Sequence, residues 1–143
     1  VAVTPAAGFV GPMGAIVLGA ITGAACLWGV TGLKHMMGYD DSLDVFGVHG
    51  IGGIIGAIGT GILVNPALGG TGVFDYATGA IAEYSSAQII SQLWGFFVAV
   101  AWSGIVSFVL FTILKHTMGL RVTQDEEREG LDTVSHGERA YSN

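Results

Sequence analysis

Charge is what this chain has least of. Val1–Leu33, Val45–Phe74 and Tyr84–Leu114 contain no Asp, Glu, Lys or Arg. Charged residues make up only 11% of the chain, against about 25% in a soluble domain. That deficit excludes an ordinary water-soluble fold, because a core of this size cannot hide several long apolar runs. Basic residues are especially few, five Lys and Arg against eleven Asp and Glu, so no basic surface exists for a nucleic acid. The single cysteine, Cys26, lies in an apolar run, which leaves no disulfide framework and no cysteine metal cluster. The opening Val-Ala-Val has no Met and no charged leader. We therefore expect the interior of a longer polypeptide rather than a signal peptide. No nucleophile–base constellation and no cofactor loop occurs, so neither an enzyme nor a cofactor is expected.

What is abundant is glycine, 24 residues, in a chain that is 51% hydrophobic. Each uncharged stretch exceeds the roughly 20 residues that cross a bilayer as a helix. Pro5 and Pro12 interrupt the first stretch, and Asn65-Pro66 with Gly69-Gly70 marks the exit from the second. The expected class is an all-α integral membrane protein with three transmembrane helices. Residues 1–12 read as the end of a preceding span or a loop, and 13–34, 44–64 and 89–116 as the spans. Residues 35–43 form a cytoplasmic loop, 65–88 an extracytoplasmic loop with some short helix, and 117–143 a cytoplasmic tail. The orientation rests on Lys34, Lys115 and Arg121 lying at one set of ends, while residues 65–88 contain no Lys or Arg.

Small residues recur every fourth position, Ala15, Gly19 and Gly23 on the first span and Gly52, Gly56 and Thr60 on the second. Such stripes let helix backbones approach closely where lipid supplies no hydrophobic drive. Packing is the plain reading of both. Gly52, Gly53 and Gly56 also leave space around one side chain of the second span.

That side chain is His49. An ionisable group inside a membrane helix is costly, and it commonly marks a substrate path or proton relay. Imidazole suits both roles, since its neutral form donates and accepts a hydrogen bond. The alternative is a histidine that only bonds a neighbouring helix. A metal site is disfavoured, because no His, Cys or carboxylate stands three or four residues after His49. His49 lies five residues beyond Asp44, about 7–8 Å along a helix axis. A midplane His49 therefore requires Asp44 to sit inside the protein, where its carboxylate would cap the helix at Phe46 or Gly47. Asp44 reads as structural, and Asp40 and Asp41 as loop or capping residues. His35 and His116 each follow a Lys at a span end and read as interfacial.

Several motifs together resemble the Amt/Mep/Rh ammonium transporter family, in its bacterial Amt branch. They are Thr4-Pro5-Ala6-Ala7-Gly8-Phe9-Val10, the run Asp40 to Gly50 with its Asp-Val-Phe-Gly-Val-His-Gly block, and Gly119-Leu120-Arg121-Val122. The tail adds Glu126 to Asp132 and Ser135 to Tyr141. The resemblance covers nearly the whole chain. It implies the last three of eleven helices in an inverted-repeat fold that assembles as a homotrimer in the inner (plasma) membrane, for nitrogen uptake. His49 matches the second of two pore histidines whose rings touch. Thr4, Asp44 and Val45 are candidate pore-adjacent or supporting residues. The first histidine, an outer aromatic cage and a phenylalanine gate belong to earlier helices, so the missing N-terminal helices of the same transporter are expected partners, as is lipid. The implied substrate is ammonium, which sheds a proton so that ammonia crosses an apolar pore. The resemblance also implies an ordered regulatory tail, with Glu126, Arg128, Gly130, Asp132, His136, Gly137, Glu138 and Tyr141 as candidate residues. A PII signal protein is the expected partner at the cytoplasmic face. Composition alone would favour a solvated acidic tail. Two further readings are an ammonium sensor that recruits such a partner, and an inactive structural fragment.

Overall fold

The computed structural model describes residues 1–138. The chain divides into a unit Val1–Ala99 and a second unit that begins at Val100. In the first unit, a short helix Val3–Ala6 leads to Gly11, whose extended backbone precedes Pro12. Proline has no N–H to lose at a helix start, so Pro12 opens the first long helix, Pro12–Met37. Gly38 ends it in the left-handed region, at φ 63°, with its N–H on the Lys34 carbonyl. The second long helix is Phe46–Leu63 and the third is Ala87–Thr117. All three are long and apolar enough to cross a membrane. At 18 residues the second is the shortest, about 27 Å along its axis.

The first two long helices pack through their smallest residues. A Cβ at Gly56 would lie 2.4 Å from the Ala2 carbonyl oxygen, and one at Gly59 would lie 2.6 Å from Leu18 Cδ1. Leu18, Ala2 and Ala6 form the buried centre, with Val10, Ile55 and Leu63 against it. Two buried hydroxyls are satisfied inside their own helices: Thr22 donates to the Leu18 carbonyl and Thr60 to that of Gly56, both at 2.7 Å. The expected stripe on the second helix, Gly52, Gly56 and Thr60, is buried. On the first helix the buried residues are Gly14, Leu18 and Thr22, one position before the expected stripe. Gly19 and Gly23 face open space. With small apolar residues on every side of that helix, composition did not single out the packing face.

Beyond the second helix, Asn65 Oδ1 accepts the Ala67 N–H at 2.9 Å and starts a single 3-10 turn, Pro66–Leu68. A two-stranded antiparallel hairpin follows, Val73–Asp75 against Ala80–Ala82, with Phe74 opposite Ile81. Asp75 shapes its turn by accepting from the Ala77 N–H and the Thr78 hydroxyl, each at 2.9 Å. The hairpin is the one departure from an all-helical description among the described residues. Strands of three residues carry too little alternation to stand out in sequence. Tyr84 ties this connection back to the second helix by donating to the Gly61 carbonyl at 2.9 Å.

The second unit holds the end of the third helix and two tail helices, Gln124–Glu129 and Leu131–His136. Thr123 and Glu126 form a reciprocal capping box at the first of these, each side chain bonded to the other's backbone N–H. Gly130, at φ 101°, turns the chain from one tail helix to the next.

Candidate functional site

His49 lies in a π-helical turn, Phe46–Gly50, that begins the second long helix. A π turn inserts one extra residue into the helical ladder, and such insertions concentrate at functional sites. A second π turn, Gly29–Leu33, occurs in the first long helix, and the two turns pack against each other. Two glycines permit the crossing. A Cβ on Gly47 would lie 3.0 Å from the Val30 nitrogen, and one on Gly29 would lie 3.3 Å from the Gly47 Cα. Any larger residue at either point would push the backbones apart.

The His49 side chain is exposed, and among the described residues no group hydrogen-bonds to its ring. Around it, Cys26 Sγ lies 3.6 Å from the Val48 carbonyl oxygen, a weak thiol contact that links the first helix to the π turn. The Phe46 ring meets Tyr39 edge-on, with centroids 5.7 Å apart, and Gly50 leaves room for Phe46.

The start of this helix is built differently from expectation. Asp41, not Asp44, is the cap: its two carboxylate oxygens accept the Val45 and Phe46 N–H groups, each at 2.8 Å. Asp44 instead takes a left-handed backbone, φ 55°, and the only positive φ outside glycine among the described residues. That conformation turns its carboxylate toward the first helix, where Asp44 Oδ1 meets Lys34 Nζ at 2.7 Å. Asp44 is thus structural through an ion pair rather than through a cap. Lys34 Nζ also donates to the Asp41 carbonyl. Val45 contributes its backbone to the Asp41 cap, and its side chain is half exposed. Thr4 is exposed on the short helix Val3–Ala6, and no hydrogen bond joins its hydroxyl to His49 among the described residues.

The tail residues form local structure of their own. Glu126 is the carboxylate of the capping box, and the N–H and hydroxyl of Thr123 hold its pKa below the usual carboxylate range. Arg128 lies in the last turn of the first tail helix, and Asp132 in the first turn of the second. Gly137, at φ 68°, closes the helix that ends at His136, and the Glu138 N–H reaches back to the Asp132 carbonyl at 3.1 Å. Arg121 pairs with Glu127 at 2.8 Å. Tyr141 lies outside the described residues.

The profile of the Ammonium Transporter Family matches residues 1–141. The chain belongs to the Ammonium Transporter Family. The ammonium transporter of Bacillus subtilis is 46% identical to it and that of Aquifex aeolicus 42%, each over 99% of this chain. Ammonium transporter 1 of Dictyostelium discoideum is 37% identical, again over 99% of the chain. The chain spans 34%, 32% and 29% of the lengths of these three relatives, so about a third of each. Its relatives are named as transporters and not as enzymes. For this ammonium-transporter-family chain, the sequence allowed Asp41 as a capping residue, as it is, but placed the helix cap on Asp44 and gave no sign of either π turn or of the Lys34 partner. One signal was available: Lys34 ends the apolar run carrying Gly29, and Asp44 begins the run carrying Gly47, so opposite charges face each other across the short connection between them.

Proposed function

We propose that this chain is the C-terminal third of a channel-like ammonium transporter, with His49 lining its pore beside a histidine from an upstream helix. The observation that carries this reading is the joining of a family match over residues 1–141 to an exposed His49 ring with no bonding partner among the described residues. An exposed, unbonded imidazole on a membrane helix has a use only if water, substrate or another helix meets it. Ammonium does not enter an apolar pore cheaply as an ion, because an isolated buried charge is strongly penalised. The ion releases its proton at an outer site, ammonia passes, and the histidine pair supplies hydrogen bonds along the way. Thr4, Asp44 and Val45 support this region, and Lys34, Lys115 and Arg121 face the cytoplasm.

The structured tail favours a regulatory role beside transport. A capping box, an Arg121–Glu127 pair and two glycine-terminated helices support a defined docking surface rather than a solvated acidic strand. In the homotrimer that surface would receive a PII-type signal protein. The deciding experiment reconstitutes the full-length protein in liposomes and measures ammonium-evoked current and uptake of labelled methylammonium. Flux above empty liposomes supports the transporter. Binding of ammonium without flux would replace it with the sensor.

A further inference from the structure

We infer that Lys34 is a positioning residue for His49, acting through Asp44 as a clasp that holds the two π turns in register. The argument begins with the hydrogen-bond ladders. The Lys34 N–H bonds to the Gly29 carbonyl, five residues back, so Lys34 closes the first π turn. The second π turn, Phe46–Gly50, closes where the Ile51 N–H bonds to the Phe46 carbonyl, and Asp44 stands two residues before it, its carbonyl accepting the Val48 N–H at 2.9 Å in the α-helical turn that leads in. The side chains of these two residues meet at 2.7 Å. The ion pair therefore joins the end of one π turn to the lead-in of the other, and Gly29 and Gly47 cross between the two turns.

Three details set this contact apart from an incidental surface pair. Asp44 adopts a left-handed backbone that a residue with a side chain rarely takes, and that conformation aims its carboxylate at Lys34. Capping, the ordinary task of such an aspartate, is performed by Asp41, which leaves Asp44 for Lys34 alone. Lys34 Nζ also donates to the Asp41 carbonyl, so one ammonium group holds both the cap residue and the left-handed residue. Both partners are partly sheltered, with side-chain exposures of 26% and 34%. A π turn is less stable than the α-helix it interrupts, and without a restraint its extra residue can slip along the ladder. A slip of one residue rotates the helix by about 100° and would turn the His49 ring away from its present face.

The inference rests on the reading of His49 as a pore residue, so the test includes a readout that does not depend on transport. Hydrogen exchange of backbone amides is measured on the full-length protein in nanodiscs for the native sequence, Lys34→Met, Asp44→Asn and the double variant. Met keeps the aliphatic stem of Lys34, and Asn tolerates the left-handed backbone, so each change removes charge and little else. Residues 46–51 should exchange about three- to fivefold faster in each single variant, while residues 54–63 stay unchanged. The double variant should be no faster than Lys34→Met, which already loses both the Asp44 pair and the contact with the Asp41 carbonyl. Native exchange over residues 46–51, or effects that add in the double variant, overturn the clasp. Methylammonium uptake by the same proteins separates the two readings. Faster exchange with reduced uptake supports both, whereas faster exchange with native uptake keeps the clasp and removes His49 from transport.

Discussion

Gly56→Ala is the most direct challenge to the packing of the second long helix against Ala2 at the start of the short helix Val3–Ala6. The added Cβ would lie 2.4 Å from the Ala2 carbonyl oxygen, 2.8 Å from its Cα and 2.9 Å from its carbonyl carbon. All three are backbone atoms, so no rotamer change relieves the clash. A real Cβ requires at least 3.0 Å, so the short helix Val3–Ala6 and the second long helix must separate by about 0.6 Å. Opening that contact loosens the buried cluster of Ala2, Ala6 and Leu18. Overpacking of this kind costs about 1–3 kcal/mol. Gly53 is the control, because a Cβ there meets nothing within 4 Å. Gly53→Ala gains helix propensity of up to about 1 kcal/mol. The assay is the thermal midpoint of the full-length protein in detergent, followed by the yield of folded protein. Gly56→Ala should lower both, Gly56→Leu should lower them further, and Gly53→Ala should leave them equal or higher. A Gly56→Ala protein as stable as Gly53→Ala would refute the close approach.

Two other predictions concern the ends of the spans and the tail. In a Cys26→Ala background, an impermeant thiol reagent added to intact cells should label a cysteine at position 86 and not one at position 142. The reverse pattern overturns the proposed orientation. The carboxyls of Glu126 and Asp75 are held below their ordinary pKa values, each by a neighbouring N–H and a Thr hydroxyl. A carboxyl depressed on folding stabilises above its unfolded pKa and loses that contribution as pH falls through the folded value. As pH falls through the lowered values of these carboxyls, below the ordinary 4.5 of Glu126 and 3.8 of Asp75, the protection of amides at residues 123–129 and 75–79 relative to their intrinsic exchange rate should fall, and Glu126→Gln should abolish that loss at the first segment only.

Much of this architecture follows from where charge is missing. Three uncharged runs became three long apolar helices, because a helix satisfies its backbone polar groups within a single segment, as crossing lipid requires. Past Leu63, Asn65 caps a 3-10 turn at Pro66–Leu68 and turns the chain away from the second helix. The π turns were not legible, because a one-residue insertion shows only as a phase shift in hydrophobic periodicity. Gly29–Leu33 and Phe46–Gly50 have apolar or small residues on nearly every face, so there is no phase to shift. The division of labour between Asp41 and Asp44 was hidden for a related reason. Two aspartates three residues apart are equivalent cap candidates until one takes a left-handed backbone. His49 itself was legible because a lone imidazole in an uncharged run is expensive enough to demand a cause.

The central claim is that His49 meets the transported substrate. The measurement is ammonium-evoked current, together with labelled methylammonium uptake, in liposomes containing the full-length native protein, His49→Ala and His49→Glu. His49→Ala should fold, since the His49 ring is exposed and makes no hydrogen bond among the described residues, yet its rate or its selectivity against other monovalent cations should change at least tenfold. His49→Glu, which keeps a proton-accepting group, should retain transport of altered character. A His49→Ala protein with native rate and native selectivity would contradict the account and leave His49 as a packing residue.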